Sequence, residues 1–94
     1  MKTKELLKEL RDGIVSIRFT DELTFSGRII NATLDETFYT DKEPTTTLSA
    51  PKSGNDPKRV LKVWDTDNDC WVSMQLKYIK YVNGSSVGRN GIVN

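Results

Sequence analysis

Lys58, Arg59, Lys62, Lys77 and Lys80 are interleaved with Tyr78 and Tyr81 in the second half of the chain. Cations set among aromatic rings can bind single-stranded nucleic acid: lysine and arginine displace counterions condensed on phosphates, and a tyrosine ring can stack on an unpaired base. The same residues have a plainer use, because outward lysines keep a small β-protein soluble and protect its sheet edges. Lys58, Arg59, Lys62, Lys77, Lys80 and Tyr78 are the candidate nucleic-acid-binding residues, with Tyr81 as an alternative ring or as part of the core.

Fourteen basic and thirteen acidic side chains leave a net charge of +1, but they are unevenly spread. Residues 21–47 hold Asp21, Glu22, Asp35, Glu36, Asp41 and Glu43 against Arg28 and Lys42, whereas Lys52, Lys58, Arg59, Lys62, Lys77, Lys80 and Arg89 dominate the second half. Asp35, Glu36, Asp41 and Glu43 offer a second chemistry, an acidic segment that docks on a partner protein without any nucleic acid.

The chain has no histidine, so it lacks an imidazole base, any Ser/His/Asp or Cys/His nucleophile system and an ordinary catalytic zinc site. The expectation is a protein that is not an enzyme, with no catalytic residue, no metal and no cofactor. Asp65, Asp67 and Asp69 imitate the start of a calcium loop, but Cys70 stands where the tight turn needs glycine and Leu76 where a bidentate glutamate would close the site. A polar hairpin turn is the better reading. Three neighbouring acids work against a reactive Cys70 thiolate, which reads instead as a small buried residue. As the single cysteine it can form no internal disulfide, which fits a reducing compartment. Asn31-Ala32-Thr33 matches a glycosylation sequon but reads as strand sequence.

These residues need a scaffold. At 94 residues with 36% apolar content, the chain supports one domain with one modest core. No apolar run approaches the roughly 20 residues that cross a bilayer, and the charged start at Met1–Glu5 does not lead into a signal-peptide core. A soluble cytoplasmic protein with no membrane partner is expected. Leu6, Leu7 and Leu10 make one stripe of a helix over Lys4–Asp12, with Thr3 as its cap and Gly13 as its stop. The period then changes to two: Val15, Ile17 and Phe19 predict a half-buried strand, followed by the turn Asp21-Glu22 and a long strand Leu23–Leu34. Gly27 inside that strand predicts a bulge that shifts the inward set from Leu23 and Phe25 to Ile30, Ala32 and Leu34.

Residues 35–57 read as a long flexible loop, anchored near its start by Phe38 and Tyr39. Arg59–Asp65 and Cys70–Leu76 read as a hairpin whose tryptophans, Trp64 and Trp71, flank the turn and put at least one indole on the core. Lys77–Val82 supplies the last strand, after a single helical turn. Residues 85–94 read as a flexible tail beyond a domain spanning 1–84. One short N-terminal helix and five strands predict a mainly β fold, a small SH3-like or Sm-like barrel with a long loop between the second and third strands.

Leu6-Leu7 with Asp12-Gly13-Ile14-Val15, Asn31-Ala32-Thr33-Leu34-Asp35, Val63-Trp64-Asp65 and Trp71-Val72-Ser73-Met74 resemble segments of small tailed-phage proteins described as WYL-related, with an Sm-like SH3 β-barrel fold. The similarity covers residues 4–82. Where such proteins carry arginine after the second tryptophan and a further basic residue beyond, this chain has Val72 and Gln75, so a basic site on that strand does not carry over. The resemblance implies a phage-encoded accessory protein in the cytoplasm of an infected bacterium. RNA or another single-stranded nucleic acid is then the first expected partner, for countering a host defence or redirecting host RNA metabolism. A host enzyme, docked and inhibited, is the alternative, and a homo-oligomeric structural role is a third.

Overall fold

Alternation sets the sheet. In β1 (Val15–Thr20) Val15, Ile17 and Phe19 are buried while Arg18 faces outward, the period that a pleated strand covered on one side requires. The computed structural model describes residues 1–39, 47–50, 52, 58–88 and 91–93. Within them the order is α1 (Thr3–Asp12), β1, β2 (Gly27–Thr33), a 3₁₀ turn (Glu36–Phe38), β3 (Val60–Asp65), β4 (Cys70–Gln75), a second 3₁₀ turn (Leu76–Tyr78), β5 (Ile79–Val82) and β6 (Ser85–Ser86). The strands form one antiparallel sheet of six, in the order β4-β3-β2-β1-β5-β6. The protein is mainly β with one short helix. The expected fifth strand is followed by a sixth, and no ladder joins β4 to β6 or to β5 among the described residues.

The sheet curls because its middle ladder is short. β2 and β3 pair only at Ala32–Asp65 and Thr33–Trp64. Beyond that point Thr47–Ser49 take the vacated edge of β3: the Lys62 amide donates to the Thr47 carbonyl at 2.8 Å and the Ser49 amide to the Val60 carbonyl at 3.0 Å. The concave side holds the core, including Ile17, Ile30, Leu61, Val63, Met74, Leu76 and Ile79, and α1 closes it with Leu6 and Leu10. A helix this short is marginal alone, so its order derives from that docking.

The buried Thr33 hydroxyl joins helix to sheet. It lies 3.1 Å from the Leu10 carbonyl and 2.8 Å from the Gly13 carbonyl, its proton serving one of them at a time, and it accepts from the Asp35 amide at 2.9 Å. The Leu34 amide also donates to the Leu10 carbonyl. The end of α1 is therefore satisfied by β2 and not by Gly13, whose backbone is extended.

Several expectations are corrected. Thr3 is the first helical residue; Lys2 precedes it without a side-chain cap, and the Thr3 hydroxyl donates to the Val93 carbonyl instead. β2 starts at Gly27, not Leu23, because Asp21–Ser26 form a turn with Phe25 at φ 55°; Leu23 and Phe25 are 92% and 76% exposed and are not inward residues. The β1–β2 register runs unbroken from Val15–Ala32 to Thr20–Gly27, so Gly27 is no bulge. The irregularity is on the other side of β1: Arg18 faces Tyr81 and Phe19 faces Ile79, which leaves Lys80 as the extra residue. Cys70 is exposed, since it opens β4 beside the polar turn.

Of the expected tail, the described residues 85–88 and 91–93 are built into the structure. β6 pairs with β5, Val87 and Ile92 enter the core, and Val93 bridges Lys2 with bonds to Met1 and Thr3. Apolar Val87, Ile92 and Val93 supply the burial that a frayed end lacks. Thr33→Val keeps the volume but strips two partners of a buried group, a change worth about 1–3 kcal/mol. The urea midpoint of unfolding is expected to fall accordingly; an unchanged midpoint would show that the hydroxyl does not hold helix to sheet.

Candidate functional site

The 3₁₀ turn Leu76–Tyr78 is held where β4 ends by Leu76, whose side chain is buried and whose amide donates to the Arg59 carbonyl at 2.9 Å. That bond sets the Lys58-Arg59 step at the start of β3 beside the turn bearing Lys77 and Tyr78. The Lys77 ammonium sits 4.9 Å from the Tyr78 ring centroid, and Lys80 Nζ approaches the Lys77 carbonyl at 3.5 Å. Lys58, Lys77 and Lys80 are exposed; Arg59 is half-buried and donates through Nε to the Ser49 carbonyl at 2.8 Å. Five of the six sequence-predicted residues therefore converge on one corner. Lys62 lies further along the outer side of β3, opposite Ser73.

A second surface was not legible from the sequence. The outward side of β2, β1 and β5 carries Ile29, Arg18 and Tyr81 in adjacent register. Ile29 and Tyr81 are 67% and 40% exposed, and the Arg18 guanidinium carbon stands 5.4 Å from the Tyr81 ring centroid. With Ser16 and Gly84 they line a hollow of about 280 Å³. Tyr81 is thus a surface ring and not a core residue. Only Tyr81's pairing with Arg18 reveals this, and it depends on the bulge at Lys80.

The acids of the hairpin turn, and Asp35 among the acidic docking candidates, are engaged in local structure. Buried Asp65 accepts from the Asp67 amide at 3.0 Å and from Asn68 Nδ2 at 2.8 Å, so its carboxylate organises the hairpin turn. Asp67 in turn accepts from Asn31 Nδ2 at 3.0 Å, tying the turn to β2. Among the described residues no cluster of three histidine, cysteine or acidic side chains could hold a metal ion. Asp35 accepts from the Thr37 amide and hydroxyl and caps the first 3₁₀ turn, while Glu36 is exposed. Asp41 and Glu43 lie outside the described residues. Tyr39 packs edge-on to Trp71 at 4.9 Å, near Trp64 at 5.8 Å, and so anchors the start of the long segment as expected; Phe38 is exposed.

The β1–β2 turn is tied by its own hydrogen bonds and apolar at its tip. Asp21 Oδ1 accepts from the Leu23 amide at 2.8 Å, the Asp21 amide donates to the Ser26 carbonyl at 2.9 Å, and Arg28 pairs with Asp21 at 3.4 Å. Beneath it, toward Val60 and Gln75, is a cleft of about 330 Å³. The hydrogen bond from the Leu23 amide holds the Asp21 carboxyl below its ordinary value; partial desolvation works the other way, and the Thr24 amide and Arg28 add to the lowering.

No helix among the described residues is long and apolar enough to cross a membrane. Comparison of the chain with protein-family models, with curated proteins and with solved structures gives no match.

Asp21 has a defined pH consequence. A carboxyl lowered in the folded state contributes stability above its unfolded pKa and loses it as the pH falls through the folded pKa. Asp21→Asn is therefore expected to flatten part of the acid limb of stability, read by urea unfolding from about pH 5 to about pH 2. An acid limb identical to that of the parent protein would show that the turn does not hold the carboxylate.

Proposed function

We propose that the chain is a small SH3-like or Sm-like barrel serving as a non-enzymatic phage accessory protein, and that it binds single-stranded nucleic acid, RNA favoured, through the corner of Lys58, Arg59, Lys77, Tyr78 and Lys80. The observation that carries this reading is the Leu76–Arg59 backbone bond, which sets Lys58 and Arg59, just before β3, beside the 3₁₀ turn that leads into Lys80 of β5, cations up to twenty-two positions apart in sequence. Phosphate contacts at such a cluster supply affinity without reading sequence. Tyr78, already beside a lysine, offers a ring face at the same corner. Lys62 extends the basic track along β3. The biological consequence we assign is interference with a host defence or diversion of host RNA metabolism in the bacterial cytoplasm.

One observation favours a second reading, a module that docks on a host enzyme. Leu23 and Phe25 are presented on a turn already fixed by its own hydrogen bonds, so little ordering entropy would be lost on docking. In that reading the contact lies at the β1–β2 tip and not at Asp35, which caps its own turn.

The two are separated by salt and by charge. Binding to a single-stranded RNA is expected to weaken steeply with salt, and Lys58→Glu with Lys77→Glu to lower affinity by about tenfold or more, equally across sequences. Salt-independent binding, or capture of a nuclease-resistant partner that Leu23→Ser abolishes, would transfer the function to the tip.

A further inference from the structure

We infer that the outward face of β2, β1 and β5 is a base-stacking subsite, in which an unpaired nucleobase lies against Tyr81 and Arg18 while the neighbouring phosphates run toward Lys80 and the basic corner. The inference deepens the nucleic-acid reading: it names the unpaired base as the group recognised and therefore selects single strands over duplexes, whose bases are already stacked on one another.

Four features of the face support it. Tyr81 is 40% exposed although it is paired in the β1–β5 ladder, next to the bulge at Lys80, and Ile29 is 67% exposed. Arg18 stands between them on β1, opposite both, with its guanidinium against the Tyr81 ring at 5.4 Å. The cation beside the ring offers charge and aromatic surface together, and both border the hollow of about 280 Å³.

The charge of the face points the same way. The outward residues of the four adjacent strands are Gly27, Ile29 and Asn31 on β2, Ser16, Arg18 and Thr20 on β1, Tyr81 on β5 and Ser86 on β6. None is itself acidic, although the Asp67 carboxylate of the β3–β4 turn accepts from Asn31 on this face at 3.0 Å. An arginine set against an exposed ring suits a ligand that is both planar and anionic.

Continuity with the corner follows from the bulge. Lys80 is the unpaired residue between Ile79 and Tyr81, and its ammonium reaches back to the Lys77 carbonyl. Lys80 therefore lies between Tyr81 and the 3₁₀ turn that bears Lys77. Gly27, on the far side of Arg18, adds no side chain where the guanidinium passes: a Cβ built there would stand 3.7 Å from Arg18 Nε.

The test compares an oligouridylate with an abasic strand of equal length at fixed salt, by fluorescence anisotropy, alongside uridine monophosphate followed by NMR at the Tyr81 ring. The parent protein is expected to prefer the base-bearing strand by roughly tenfold. Tyr81→Leu should abolish that preference while leaving binding to the abasic strand unchanged, and Arg18→Gln should reduce it. Lys77→Glu should weaken both strands alike. Equal binding of both strands by the parent, or a preference that survives Tyr81→Leu, would overturn the stacking subsite and leave the basic corner standing. If no strand binds but the mononucleotide shifts the Tyr81 ring, the subsite stands and the corner falls. If neither strand nor mononucleotide binds, both are wrong.

Discussion

The hydrogen bond from the Leu76 amide to the Arg59 carbonyl fixes where the charges of this protein stand. It closes the corner at which β4 gives way to the 3₁₀ turn, and it can form because Leu76 is buried beneath it. A polar backbone group next to a buried side chain must find a partner, and here the partner is the carbonyl of the residue that starts the basic stretch on β3. The apolar core and the cationic corner therefore share one anchor. Loosening Leu76 would disperse the lysines as well as the strands.

Two other constraints frame that corner. The short β2–β3 ladder lets the sheet curl, and the segment Thr47–Ser49 satisfies the backbone of β3 where β2 departs. At the opposite end, Thr33 binds the close of α1 to β2, while Val93 is joined to Met1 and Thr3. The helix and both ends of the described chain are thus part of one packed unit. This leaves the outward side of β2-β1-β5 uncovered, and that is the side on which Arg18 and Tyr81 are displayed.

Much of this was legible in the sequence, and the rest was hidden for definite reasons. Period-two alternation located Val15, Ile17 and Phe19, and the polar turn between Trp64 and Trp71 located the hairpin. The leucine stripe located the helix. Leu23 and Phe25 misled because apolar residues at alternate positions look like strand; their exposure is set by a turn whose hydrogen bonds come from Asp21 and Ser26. The last strand was missed because Ser85-Ser86 has no apolar pattern, and Val87 and Ile92 owe their burial to contacts distant in sequence. Five of the six cationic and aromatic candidates share a corner, which their types alone could not show because a backbone bond between distant residues brings them there. No local pattern could show that a bulge at Lys80 would turn Tyr81 outward to meet Arg18.

The central claim is that cations gathered at one corner, and a ring platform beside them, take a single nucleic-acid strand. The most direct measurement is a map of backbone amide chemical-shift changes as a short single-stranded RNA is added to the isotope-labelled protein. The account predicts that the changes concentrate at Lys58, Arg59, Lys77, Tyr78 and Lys80 and continue through Tyr81 to Arg18. Changes confined to the Leu23–Phe25 tip, or spectra that do not move at all, would contradict it.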